Sequence, residues 1–346
     1  MDFSLFYILH RPDGMSDTQV YEEAIEETVA ADELGFRCVW FAEHHFSRVG
    51  MVPDPLLMCA AVAQKTKRIR LGTGISIIPF HDPIRLAGQA AMVDVLSGGR
   101  LDLGVGRGSQ PREFSGFQTV PSESRGRLKE GLEIIDRLLR GESMTFEGQY
   151  YSCKEAELYP KPIQKPRPPI WVAGTSLETY TYAGENDFLV MASAGFTGPE
   201  VYKEKFGLWK KAIAERGGDI SNLPHALLHH LHVCEKEEDP EVRYRQVEEG
   251  ESWYLKYRTK VNDINMPEKE SKHLKRNWGY KLDMREIIRG GGFVGRVDTV
   301  IEEVRRLRDD YGVNDILVGP WRGPSSKEVV RSLELFAKEV MPALQD

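Results

Sequence analysis

Short apolar runs alternate with helical stretches eight times along this chain, and that rhythm excludes most folds. The runs that read as strands are Phe3 to Leu9, Arg37 to Phe41, Ile69 to Ile78 and Arg100 to Val105. They continue with Ile170 to Gly174, Phe188 to Ala192, His225 to Cys234 and Asp315 to Val318. Helical patterns lie between them, the first from Ser16 to Gly35 and the last from Glu328 to Val340. Asp54-Pro55 and Asp82-Pro83 each set an N-cap acid before a proline at the first helical position. Gly35 supplies a C-terminal cap. Such an alternation predicts an α/β fold, and eight repeats predict a closed (β/α)8 TIM barrel.

Two segments break the rhythm. Between Met144 and Pro169 an inserted hairpin (Phe146 to Tyr151, turning at Gly148) precedes a proline-rich connector through Pro160, Pro162, Pro166, Pro168 and Pro169. Residues 259 to 292 read as irregular and polar, ending in Gly290-Gly291-Gly292, and predict a mobile lid between strands seven and eight. No linker divides the chain, so residues 1–346 are expected to form one domain.

The net charge of −7 argues against a nucleic-acid partner. Cys38, Cys59, Cys153 and Cys234 are scattered, which predicts buried thiols in a reducing compartment rather than disulfides or zinc ligands. No basic leader and no membrane-length apolar run is visible, so a cytoplasmic protein without membrane contact is expected.

Candidate chemistry collects at the carboxyl ends of the strands, where barrel enzymes place it. Strand two runs into Glu43-His44-His45-Phe46. Imidazoles there suit proton transfer near neutral pH, although adjacent residues of an extended segment point apart, so at most one of the two histidines faces a given pocket. Strand three ends in Gly72-Thr73-Gly74-Ile75, and strand four in Gly104-Val105-Gly106-Arg107-Gly108. The latter is not a dinucleotide fingerprint, because its third glycine comes one residue early and no helix follows at once. A guanidinium at Arg107 suits a phosphate. Arg125 stands in the first turn of a helix, against the helix dipole, a conflict that a nearby anion would resolve. Ala173-Gly174-Thr175-Ser176 leads from strand five into a helix that includes Thr179. That helix N-terminus offers amides and hydroxyls to an anion, although Ser and Thr are also ordinary N-caps. His225, His229, His230 and His232 crowd strand seven, with His230 and His232 on one face. Either of those two suits a substrate contact. No ligand spacing for a metal appears.

Taken in order, Glu43-His44-His45-Phe46, Gly72-Thr73-Gly74-Ile75, Gly99-Arg100 to Arg107-Gly108, Ser124-Arg125, Thr175-Ser176 with Thr179, and the closing Val340-Met341-Pro342 span nearly the whole chain. In them the chain resembles the bacterial luciferase-like flavin monooxygenases, and the catalytic α subunit of luciferase among them. The resemblance implies a TIM barrel holding reduced FMN, with Arg107, Arg125, Ser176, Thr179 and the backbone of Thr175 around its phosphate. It also implies a non-prolyl cis peptide at Gly74-Ile75 beneath the ring, Glu43 and Gly106 among the other cofactor-binding positions, and His44 as the acid/base with His45 as a second catalytic group and Glu43 and His45 positioning it. Gly106 stands where luciferases carry a reactive cysteine, and Gln110 where they carry a tyrosine, so light emission does not follow from the likeness.

The implied reaction is two-component. A separate flavin reductase supplies reduced FMN, O2 adds to give a peroxyflavin, and one oxygen atom passes to a small organic substrate. A homodimer is implied as well. Two alternatives share the barrel: a deazaflavin-dependent hydride-transfer enzyme, and a non-catalytic partner subunit.

Overall fold

The computed structural model describes residues 1–174, 176–193, 200–221, 223–263, 267 and 284–345. Eight parallel strands close into a barrel: β1 (Asp2–Tyr7), β2 (Cys38–Phe41), β3 (Arg70–Thr73), β5 (Leu101–Gly106), β8 (Ile170–Ala173), β9 (Leu189–Ser193), β10 (His225–Val233) and β12 (Asp315–Pro320). The ring closes where Asp2 to Leu5 of β1 lie in register with Asp315 to Val318 of β12. The TIM barrel expected from the alternation is therefore the fold.

The helix boundaries follow from local chemistry. Ser16 forms a reciprocal capping box with Gln19 at the start of the helix Asp17–Leu34, and Gly35 ends it with a φ of 86°. Asp54 accepts from the amides of Leu56 and Leu57 ahead of Pro55, and Asp82 accepts from that of Arg85 ahead of Pro83.

Inward-facing side chains fill the barrel. Trp40 of β2 meets Trp171 of β8 edge to face at 5.3 Å, among Phe6, Met191, Leu228 and Leu317. Gly72 faces this indole, and a Cβ there would stand 2.2 Å from Trp40 Cε3. Leu5, Val39, Leu71, Leu103 and Val105 point the other way, into the layer shared with the helices. The amino-terminal ends of the strands are tied by charge. Arg37 bridges Asp102 at 3.1 Å and Asp315 at 2.8 Å, Arg70 reaches Asp102 at 2.8 Å, and Ser4 donates to Asp315 at 2.9 Å. Charged groups thus knit one end of the barrel, which leaves the carboxyl end for chemistry.

The structure corrects the reading in three places. Ile69 to Ile78 is not one strand: β3 stops at Thr73, and β4 (Ser76–Ile77) resumes after a cis Gly74–Ile75 peptide to pair with β5. The described part of 259–292 is regular. The helix Pro240–Asn262 runs into it, the helix Met284–Gly291 follows, and β11 (Gly292–Gly295) pairs with the end of β10. The lid expected at 259–292 otherwise lies outside the described residues. The third correction is small: Cys153 is only half-buried, whereas Cys38, Cys59 and Cys234 are buried, and all four are free thiols. The inserted hairpin is present as β6 (Met144–Glu147) antiparallel to β7 (Ser152–Ala156). Among the described residues no helix is long and apolar enough to cross a membrane.

Candidate active site

Strand β2 delivers Glu43, His44 and His45 to the carboxyl end of the barrel, where the two imidazoles are held by different acids. The buried Glu43 carboxylate meets His45 Nε2 at 2.7 Å with one oxygen. With the other it meets His81 Nε2 at 2.8 Å and accepts the Ile77 amide at 2.8 Å. Burial pushes this carboxyl up, but the hydrogen bonds from His45, His81 and Ile77 outweigh it and hold Glu43 below its ordinary range. His81 feels the reciprocal effect: burial alone would lower it, and Glu43 raises it overall. Glu43 therefore braces His45 and His81, with both oxygens engaged. It does not touch His44, so its expected role beside the acid/base is corrected.

His44 has its own acid. Its Nδ1 lies 2.8 Å from Glu113 Oε1, an oxygen that also accepts the His45 amide at 3.1 Å. The Nδ1 proton donated there leaves Nε2 of a neutral ring as the working nitrogen. The fit behind His44 is close. Gly50 has a φ of +93°, and a Cβ on it would lie 2.2 Å from His44 Cβ. His44, His45, Gln110, Glu113, Tyr254 and Arg258 line one narrow cleft, so both histidines face it, which corrects the expectation that at most one would, because the chain leaves its extended course after Phe41. Glu113, His81 and Gly50 were missed in the sequence. Glu113 lies 69 residues from His44, and only the closed barrel brings them together.

Beside this cleft a cavity of about 1160 Å³, open to solvent, lies over the barrel mouth. Ser109 lines the cavity and Gln110 the cleft, so the two adjoin along one loop. Its floor is apolar, with Phe6, Ile75, Met191, Leu228 and Leu317, and the cis Gly74–Ile75 peptide also lines it. One wall is polar. Arg107 leaves the end of β5 and reaches Ser124 Oγ at 3.4 Å. Burial and the nearby Arg125 guanidinium both lower the Arg107 pKa, the behaviour of a cation that would gain from an anion. Ser176 and Thr179 hydroxyls share a hydrogen bond of 2.9 Å. Ser176 stands at the N-cap of the helix Leu177–Glu185, yet its side chain makes no capping bond. The anion near Arg125 is Glu178, which also takes Lys129 at 3.2 Å. Thr175 lies outside the described residues. Gly106 has a physical reason: a Cβ there would meet Ile75 Cδ1 at 2.2 Å, so the isoleucine fills the space a side chain at 106 would need.

Of the strand-seven histidines, His230 lines a further cavity at the mouth, described below. His232 points elsewhere. It joins Cys234 and Glu238 in a cluster whose possible ligand atoms lie within 4.8 Å of one another, a grouping that sequence spacing did not suggest. Arg243 already ion-pairs with Glu238 and with Glu328 there, so a fixed cation occupies the acid. His229 and His225 are buried, and burial lowers the pKa of each.

A polar wall with Arg107, Ser176 and Thr179, an apolar floor and an imidazole held by Glu113 thus meet at the carboxyl end of the barrel. The model of the luciferase-like monooxygenase family matches residues 1–314, and the chain belongs to that family. It is 30% identical to the oxygenase component of flavin-dependent trigonelline monooxygenase from Acinetobacter baylyi, over all of this chain and 96% of that one. Among solved structures, the monooxygenase RslO1 of Streptomyces bottropensis superimposes with a TM-score of 0.86 at 27% identity, over 99% of each chain. The oxygenating constituent of 3,6-diketocamphane monooxygenase of Pseudomonas putida, solved with FMN, shares the fold at a TM-score of 0.79 and 23% identity, over 99% of this chain and 98% of that one.

Proposed function

We propose that this chain is the oxygenase of a two-component system. It takes reduced FMN from a separate flavin reductase, and with O2 it inserts one oxygen atom into a small organic substrate, working in the cytoplasm as a homodimer. Membership of a flavin-dependent monooxygenase family carries the reaction class. The observation that supports FMN in particular is the polar wall of the large cavity, with Arg107, Ser176 and Thr179 facing one another above an apolar floor. Arg107 and the hydroxyls of Ser176 and Thr179 present a cation and two donors to one space, while Arg125 close by is paired with Glu178. A phosphate dianion would meet the guanidinium of Arg107 and accept from both hydroxyls.

The cofactor supplies the activation of O2 when bound. The chain's own residues bind, orient and protonate. Arg107, Ser176, Thr179 and, by likeness, Arg125 and the Thr175 backbone hold the phosphate. Gly74 and Ile75 support the ring. His44 moves a proton through Nε2, and Glu113 fixes its tautomer through Nδ1. His45, locked on Glu43, shapes the wall beside it.

The test separates phosphate from ring. Arg107→Ala should weaken FMN binding by roughly 2 kcal/mol or more, the loss of a charge-assisted bond to a desolvated dianion. Riboflavin binding should barely change. His44→Ala should spare FMN binding and cut product formation about 100-fold. An equal response of riboflavin and FMN overturns the phosphate assignment, and turnover with a deazaflavin instead of FMN overturns the oxygenase reading.

A further inference from the structure

A second cavity, of about 1210 Å³, opens at the barrel mouth and shares Phe6 with the large one. None of the roles assigned above uses it. It lies over the carboxyl ends of β1 and β12, and Ile8, His10, His230, Trp253, Trp321 and Glu27 are among the groups around it.

Its chemistry is specific. His10 Nδ1 lies 3.1 Å from the Ile8 carbonyl, an acceptor only, so Nδ1 carries the ring proton. Burial, reinforced by the Arg322 guanidinium, pushes His10 down to about 4, so the ring is neutral at pH 7. Its Nε2 then holds a lone pair and lacks a hydrogen. His230 is fixed in the same manner, with Nδ1 3.1 Å from the Gly319 carbonyl, and it stacks on Trp321 at 4.7 Å and 29°. Burial first, then Arg322, holds it at about 4 as well. Trp253 packs 6.1 Å from His10. Among the described residues of the wall the guanidinium is that of Arg322, whose charge is balanced by Glu251 at 2.7 and 2.9 Å with Tyr254 under it at 3.6 Å, while its Nε has no hydrogen-bond partner. The carboxyl groups of Glu23 and Glu27 face the same space.

Flat π faces ask for a flat partner. An acceptor without a hydrogen at the wall of a cavity favours a donor, and a ligand that cannot donate takes the place of water there without replacing its hydrogen bond. The Glu23 carboxylate, joined by Glu27 as pH rises past about 7, disfavours an anion here. A phenolic O–H is a stronger donor than an aryl N–H. A hydrogen bond that draws on its proton also enriches the ring for attack by an electrophilic oxygen.

We propose that this cavity binds the substrate, that the substrate is a planar aromatic ring bearing a hydroxyl group, and that His10 selects it by accepting the O–H at Nε2 while Trp253 and Trp321 hold the ring. The substrate's fate rests on the oxygenase reading; its binding does not.

Isothermal titration calorimetry on the cofactor-free protein reads the binding directly, with 2-naphthol, 2-methoxynaphthalene and 2-naphthoate as probes. Wild-type protein should bind 2-naphthol at least tenfold more tightly than either of the others. His10→Phe, which keeps a flat ring and removes the acceptor, should bring 2-naphthol down to the level of the methyl ether. Trp321→Leu should weaken both. Equal affinities for naphthol and its ether in the wild type, or a preference that survives His10→Phe, overturns the proposal. The wild-type comparison stands even if the variant folds poorly by circular dichroism. FMN titrations of the same proteins keep the two readings apart: loss of FMN binding would count against the flavin site alone.

Discussion

At the scale of single residues, two buried carboxyl groups do opposite work. Glu113 is a positioning residue: it never meets the reacting atoms and acts through His44 Nδ1. Glu113→Ala should lower product formation roughly 10- to 100-fold, in the range of lost support for an active imidazole. FMN affinity should stay unchanged, and Glu113→Asp should recover part of the rate. Equal loss in the aspartate and alanine variants would reduce Glu113 to a packing group. Glu27 is different. Burial pushes it up to about 7, against the bonds from Ser326 and Tyr7 that favour its ionised form. In the unfolded chain it would titrate near 4.5. Between those values the folded protein binds more protons than the unfolded one, so this group's contribution to stability is full at low pH and falls as pH rises toward 7. Glu27→Gln should remove that slope. Denaturant unfolding at pH 5 and pH 8 should show wild type losing on the order of 2 kcal/mol relative to the variant as pH rises. A constant difference would mean that Glu27 titrates normally. Both residues escaped notice in the sequence for one reason. Glu43-His44-His45 announces itself because three functional groups are contiguous. Glu113 and Glu27 each look like one more surface acid on a helix until the fold shows which way the side chain faces.

At the scale of elements, the alternation made the barrel legible because most strands are apolar on both faces and most helices on only one. What was misread follows from residues with more than one use. The glycines at 290–292 look like a flexible loop. Yet Gly292 sits in β11 against β10, where a Cβ would lie 1.9 Å from the His230 carbonyl oxygen, so glycine permits a close strand contact. Gly74 likewise stands 2.7 Å, by an ideal Cβ, from the Phe6 ring, in a strand that periodicity alone reads as continuous. The charged belt at the amino-terminal ends of the strands was also invisible, since Arg37, Arg70, Asp102 and Asp315 are far apart in the chain. It supports a prediction about the strands and not the site. Arg37→Met would leave the buried Asp315 with only the Ser4 hydroxyl, while Asp102 keeps Arg70. The expected cost is about 3–5 kcal/mol of folding stability, the usual consequence of breaking a buried pair from one side. FMN affinity, set at the opposite end of the barrel, should be unchanged in the protein that remains folded. Chemical denaturation paired with flavin titration checks both halves, and a flavin defect without a stability loss would contradict the separation of the two ends.

At the scale of the whole molecule, exposed apolar side chains occur in several parts of the described surface, and one group of them lies on two neighbouring helices. The helix Pro55–Ala63 is apolar along its entire length, and its Leu57 is 66% exposed. On the neighbouring helix Pro83–Leu96, Met92, Val95 and Leu96 are exposed too. Single exposed apolar residues are normal on a soluble protein, but four on two adjacent helices make a patch of the kind that a partner covers. A two-fold pairing would bury the same patch on each copy, and a self-complementary apolar face needs no opposite charge to meet it. This suits the proposed homodimer, and it also suits a chain with a net charge of −7, whose copies would otherwise repel. The double variant Leu57→Glu, Met92→Glu should sediment as a monomer where the wild type sediments as a dimer at micromolar concentration. Each new carboxylate would have to be desolvated against an apolar surface, a cost of several kcal/mol that the patch cannot repay. The residues proposed for the flavin and for the aromatic ligand lie at the mouth of the barrel and come from one chain, so FMN affinity in the monomeric variant should match the wild type. A wild-type protein that sediments as a monomer would remove the homodimer from the proposal. A monomeric variant that has lost FMN binding would mean instead that pairing completes the site, and that the barrel does not work alone.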